Sequence, residues 1–204
     1  NNPVLARFSY TLDDAGRRVA AVETRLDDDG VTRTTTFHWT YDNAGRLVEE
    51  VCHGFDDVGT PLRYRDSYVY DAVGNRMEFT HDEGDDGSVE KTIAYAYDDN
   101  DRLLSETVTG QVAQEVVYDY DNGQSTQLLG KTVTQDGVVV YAAVYTYDVR
   151  GRMDSATVDA DGAGPQEPVV SLYTYNDDGI RTSETIVGGS ERTFLIDPYN
   201  TTGH

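Results

Sequence analysis

Trp39-Thr40-Tyr41-Asp42-Asn43-Ala44-Gly45-Arg46-Leu47 decides the fold, because the chain writes it again and again. Related stretches begin at Tyr10, Tyr68, Tyr95, Tyr118, Tyr145 and Tyr173. They read YTLDDAGRR, YVYDAVGNR, YAYDDNDRL, YDYDNGQST, YTYDVRGRM and YTYNDDGIR. The fourth position falls at Asp13, Asp42, Asp71, Asp98, Asp121, Asp148 and Asn176, in steps of 29, 29, 27, 23, 27 and 28 residues. A period in the twenties marks one supersecondary unit copied in series. Such arrays usually build surfaces, scaffolds or containers rather than one catalytic pocket.

Each copy reads as a hairpin. Tyr68-x-Tyr70, Tyr95-x-Tyr97 and Tyr145-x-Tyr147 alternate with period two, which puts both rings on one face of a strand. Phe37-x-Trp39-x-Tyr41 extends that phase backwards. The same aromatic positions recur at Tyr10, Tyr118, Tyr120, Tyr173 and Tyr175. Asp-x-x-Gly then predicts a type I turn, with Asp accepting at the first position and Gly16, Gly45, Gly74, Gly151 or Gly179 taking positive φ at the fourth. A second strand leaves the turn, and Gly-bearing loops such as Asp136-Gly137 return the chain. Seven units give fourteen to sixteen antiparallel strands in a meander, and a sheet that wide is expected to twist and curve. The fourth copy has Asp101 in place of Gly, and the fifth carries its Gly one place early without Arg. Altered turns are expected there, with the strands retained.

Composition narrows the partners. Thirty-seven acids face sixteen bases, for a net charge of −21, and only Lys91 and Lys131 are lysines. That charge disfavours phosphate backbones and anionic lipid surfaces, so neither nucleic acid binding nor membrane insertion is expected. Hydrophobic residues are 38 per cent, and fifteen residues are Tyr, so the core is built from aromatic strands. Cys52 is the lone cysteine, which excludes an intrachain disulfide. The chain opens mid-pattern, as a piece of something longer would.

The pattern Y-x-Y-D-x-x-G-R-L resembles the YD repeats of the rearrangement-hotspot (RHS) family, found also in toxin-complex shell subunits, bacterial wall-associated proteins and teneurins. The resemblance spans nearly the whole chain, and Leu195-Ile196-Asp197-Pro198-Tyr199-Asn200 is similar to the segment where such arrays pass into the next region. It implies an all-β fold of tandem hairpins in a long, curved antiparallel sheet forming part of a spiralling shell. It implies one repeat domain over 1–192, with 193–204 leading toward a C-terminal region. It further implies a non-catalytic wall around cargo such as a toxic domain, in a secreted or cell-surface protein. The shells of that family use many more than seven repeats, and the Asp-Pro-x-Gly-Leu autoprotease motif is missing, so self-cleavage is not implied.

Chemistry is scarce. No phosphate loop, dinucleotide fingerprint or Gly-x-Ser-x-Gly elbow occurs, and His38, His53, His81 and His204 lack metal spacing. No cofactor is expected except calcium, for which Asp27, Asp29, Asp82, Asp85, Asp159 and Asp161 are the candidate ligands, clustered on predicted hairpin tips. Solvated turns explain the same acids. The motif arginines Arg17, Arg46, Arg76, Arg102, Arg152 and Arg181 are expected to bridge acids of a neighbouring repeat. Two further readings stay open: adhesion to a glycan or protein through the aromatic face or acidic loops, and edge-to-edge assembly into a fibre.

Overall fold

The computed structural model describes residues 6–26, 30–56, 58–121, 126–162 and 164–194. These form fifteen strands and, among the described residues, no helix. The strands are β1 (Ala6–Leu12), β2 (Arg18–Leu26), β3 (Thr32–Tyr41), β4 (Leu47–Phe55), β5 (Pro61–Tyr70), β6 (Arg76–Glu83), β7 (Lys91–Tyr97) and β8 (Leu103–Gly110). They continue as β9 (Gln114–Tyr120), β10 (Leu128–Gln135), β11 (Val138–Tyr147), β12 (Met153–Asp159), β13 (Val169–Tyr175), β14 (Arg181–Ile186) and β15 (Glu191–Thr193). Strand order in the sheet follows chain order, the meander expected of serial hairpins. Of the expected terminal segment 193–204, only Thr193 and Phe194 fall among the described residues.

The chain divides into two compact units, Asn1–Tyr97 with Glu106–Ala113, and Asp98–Ser105 with Gln114–His204. In the first, register alternates the faces strictly: Tyr10 pairs with Ala21, Ala21 with Phe37, Phe37 with Cys52 and Cys52 with Tyr64. All five therefore share one face. Ala21, Thr35 and Cys52 are buried there, and Asp82 is buried on the other. The second unit repeats the scheme, with Tyr145 opposite Ala156 and with Val116, Ala143 and Ala156 buried on the ring-bearing face. Small residues sit between large rings, so the core is a thin layer on one side of the sheet.

Far-end loops follow the same economy. Gln135 pairs with Val138, leaving only Asp136 and Gly137 in the loop, both at positive φ (49° and 79°). That is the Asp-Gly hairpin expected from sequence.

Candidate functional site

The recurring site is the turn itself. In the first repeat the Gly16 amide donates to the Asp13 carbonyl at 2.9 Å and the Asp13 amide to the Arg17 carbonyl at 2.9 Å, with Gly16 at φ 78°. This is a type I turn closed by a left-handed residue. The Asp13 carboxylate accepts from the amides of Ala15 (3.0 Å) and Arg17 (2.9 Å), and from Arg17 Nε (2.7 Å). Asp42, Asp98 and Asp148 hold their turns in the same way. Asp71 binds Asn75 instead of Arg, and Asn176 keeps one amide bond, from Ile180.

The fourth turn corrects an expectation. It is not altered: Asp101 takes φ 60° and donates its amide to the Asp98 carbonyl at 3.0 Å, as Gly does elsewhere. Asp is among the few side chains that tolerate this region, at a cost. Replacing Asp101 with Gly is expected to raise stability by about 0.5 kcal/mol, seen as a higher thermal midpoint. The fifth turn is altered as expected, with the Asp121 amide reaching the Gln127 carbonyl at 3.4 Å, two residues further on than elsewhere.

Beyond the first, second, third, sixth and seventh turns lies a bulge. Thr40 pairs with Glu49 but Tyr41 with Leu47, so Val48 is extra, and the same slip recurs at Leu12, Tyr70, Tyr147 and Tyr175. The ladder to the next hairpin stops short of it. Between β4 and β5 the last pair is Glu49 with Ser67, which leaves the Leu47 carbonyl without a ladder partner. The Tyr70 hydroxyl donates to that carbonyl at 2.8 Å. Identical bonds run from Tyr41 to Arg18 (2.9 Å), Tyr97 to Arg76 (3.0 Å), Tyr147 to Leu128 (2.8 Å) and Tyr175 to Met153 (2.7 Å). In the second, third, fourth, sixth and seventh motifs the second Tyr thus joins its hairpin to the preceding one.

Arginine closes the joint from the other side. Arg46, held by Asp42, lies over the Tyr70 ring at 4.8 Å and donates to the Asp71 carbonyl at 2.8 Å. Arg17 covers Tyr41, Arg102 covers Tyr120 and Arg152 covers Tyr175, at 4.6–4.9 Å. Bridges to acids of a neighbouring repeat were the expectation; each of these arginines pairs with its own turn Asp and reaches the neighbour's ring. Arg76 and Arg181 stand one place later, where Asn75 and Ile180 hold the clip position, and lie over first-position rings, Tyr68 and Tyr95 for the one and Tyr173 for the other. Each guanidinium–ring contact contributes about 0.5–1 kcal/mol.

The turn carboxylates tie stability to pH. The backbone amide four residues on holds Asp13, Asp42, Asp98 and Asp148 below the ordinary 3.8, with the guanidinium adding and desolvation opposing. At Asp71 desolvation opposes, and the amides of Asn75 and Gly74 outweigh it. Their contribution is complete above the unfolded-state value and disappears as pH falls through the lowered folded-state values. The urea midpoint is expected to drop as pH falls below about 4, less steeply in Asp42→Asn.

A second cluster crosses β3 to β6 on the ring-bearing face. Trp39, Glu50, Asp66 and His81 stand directly opposite one another in consecutive strands. Two carboxylates side by side repel, and each is compensated. Glu50 accepts from Trp39 Nε1 (2.9 Å) and the Tyr64 hydroxyl (2.6 Å), while Asp66 pairs with His81 Nδ1 (2.6 Å). Cys52, wholly buried between Phe37 and Tyr64, has its thiol pushed up to about 11 by burial. It is a core residue rather than a nucleophile. Sequence reasoning missed this cluster, since only cross-strand register assembles it.

The calcium candidates that are described hold other partners. Asp82 is buried and caps its own loop through the amides of Asp86 (3.1 Å) and Gly87 (2.8 Å). Asp85 is hydrogen-bonded to His53 (2.7 Å) and ion-paired to Arg65 (2.8 Å), and these contacts hold its carboxyl below the usual range, His53 foremost. Asp159 accepts the Asp161 amide at 3.3 Å, and Asp161 that of Gln166 at 3.1 Å. Asp27 and Asp29 lie outside the described residues. Among the described residues no three His, Cys, Asp or Glu side chains are grouped to hold a metal.

No family model matches the chain, and no curated protein does. A solved porin-like protein from Bacteroides uniformis is similar at 14% identity and TM-score 0.34, over 85% of this chain and 91% of that one. Likeness at that level carries no weight for fold family or function.

Proposed function

We propose that this chain is a non-catalytic wall segment of the YD-repeat type, secreted or displayed at a cell surface. It contributes to a shell around cargo such as a toxic C-terminal domain. One observation carries the reading: a Tyr hydroxyl donates to the preceding hairpin's carbonyl at Tyr41, Tyr70, Tyr97, Tyr147 and Tyr175, and an Arg lies over the ring at Tyr41, Tyr70 and Tyr175. A device that repeats with the hairpin extends a wall. The motif residues are spent on turns and joints, where Asp and Arg satisfy each other and the backbone. Its partners are then neighbouring repeats of the same larger chain or assembly.

Electron microscopy of the native particle containing this chain tests the proposal. A hollow particle with internal density is the expected result, unchanged by a calcium chelator. A filament or extended stalk would overturn encapsulation and leave fibre assembly or adhesion.

A further inference from the structure

The second unit carries three exposed aliphatic side chains that the hairpin scheme does not require. Just before the first ring of the motif, the first four repeats place Ser9, His38, Ser67 and Ala94, whereas the last three place Val117, Val144 and Leu172. Those three are 44%, 57% and 43% exposed. They stand on β9, β11 and β13, on the face opposite the rings. Register sets them on a diagonal. Val117 is opposite Thr132 and Thr132 opposite Ala142, two residues before Val144. Val144 is opposite Thr157 and Thr157 opposite Val170, two residues before Leu172. Each step is thus two strands and two residues, about 12 Å. The side chains around the line are small, as at Gly130, Thr132, Ala142, Ser155 and Thr157, and charge stands at the border, on Glu115, Asp119 and Asp159.

We infer that this face docks a second copy of the chain, about a two-fold axis beside Val144. Three evenly spaced side chains in a line are self-complementary. With the axis lying between the sheets, Val144 meets Val144 of the second copy and Val117 meets its Leu172. Charge selects the occupant. Two chains of net charge −21 repel, and an uncharged patch with acids only at its border is where they approach at least cost. Small residues beside the aliphatic line let two sheets close to the stacking distance of about 10 Å. Five strands with three alternate positions each give roughly 400 Å² per copy. That is less than a permanent dimer buries, so the pairing is reversible, with a Kd of about 100 µM.

Sedimentation velocity of the full chain from about 10 µM to about 1 mM tests the assignment. A monomer–dimer equilibrium is expected, and raising salt from about 0.05 M to about 0.5 M favours the dimer, because the border acids and net charge are screened. Val144→Glu is expected to weaken pairing at least about tenfold. Val69→Glu, at an exposed valine of the first unit, is expected to leave it unchanged. Cross-linking reads the axis. Cys52 is wholly buried, so a short bismaleimide reaches only introduced thiols. Val144→Cys is expected to couple to itself, and Val117→Cys to a Leu172→Cys chain but not to itself. The assignment is overturned by a monomer at about 1 mM in high salt, by undiminished pairing in a Val144→Glu protein with wild-type circular dichroism, or by Val117→Cys coupling to itself as readily as to Leu172→Cys.

Discussion

Gly54→Ala is expected to lower stability by about 3 kcal/mol, although it adds only one methyl group near the end of β4. The reason lies across the sheet. The β3–β4 ladder ends with Thr36 opposite His53, and Thr35 then inserts its side chain where the next pair would stand. Thr35 Oγ1 accepts from the Phe55 amide and donates to the Phe55 carbonyl, both at 3.0 Å, serving two main-chain groups from one hydroxyl. A Cβ on Gly54 would collide with Thr35 Cα as well as with that hydroxyl, so backbone must shift and both bonds suffer. Overpacking costs about 1–3 kcal/mol and each hydrogen bond about 1 kcal/mol. For a chain of this size that lowers the melting temperature by roughly 6–12 °C. Gly74 makes the contrast. A Cβ there meets nothing within 4 Å, and its φ of 110° makes the objection conformational. Gly74→Ala should cost about 1–2 kcal/mol. Equal melting temperatures for the two variants would refute the close-approach account of Gly54.

The repeat unit was open to reading from local order alone, because its parts are local. Asp and Gly three apart make the turn, Tyr two apart share a face, and Asp-Gly ends the hairpin, whatever surrounds them. What escaped depends on register. Arg76 and Arg181 look like motif arginines, yet one residue of displacement takes them off the clip, since Asn75 and Ile180 occupy the fourth place after Asp71 and Asn176. The role of Arg46 could not be deduced, because the Tyr70 ring and Asp71 carbonyl it reaches lie 24 and 25 residues on. The Trp39–Glu50–Tyr64 contacts and the Asp66–His81 pair belong to the same class. They exist only in one strand alignment, and a slip of one residue would send every member to the opposite face. The fourth turn failed for another reason. The turn requires a left-handed backbone rather than glycine itself, and Asp101 also supplies it.

Changing Tyr41, Tyr70, Tyr97, Tyr147 and Tyr175 together to Phe is expected to cost about 3–5 kcal/mol, while preserving every ring. Each variant removes one oxygen and leaves one carbonyl facing the gap beyond an inter-hairpin ladder. The bonds of Tyr70, Tyr147 and Tyr175 are part-buried and contribute about 1 kcal/mol each; those of Tyr41 and Tyr97 are exposed and contribute about half as much. The sites lie in separate repeats with no shared partner, so their effects should add. Such a sum rivals the whole stability of a marginal domain. The comparison is with Tyr10, Tyr68 and Tyr173, the first tyrosines of their motifs, whose rings rest beside Arg18, Arg76 and Arg181. Phe at those three positions keeps the ring that the guanidinium contacts, and should shift the urea midpoint little. If both sets cost the same per residue, the hydroxyl-to-carbonyl joint is not what links one hairpin to the next. If the second-position set alone unfolds the chain early, the two tyrosines of each motif have separate duties: one supplies surface, and the other fastens the wall.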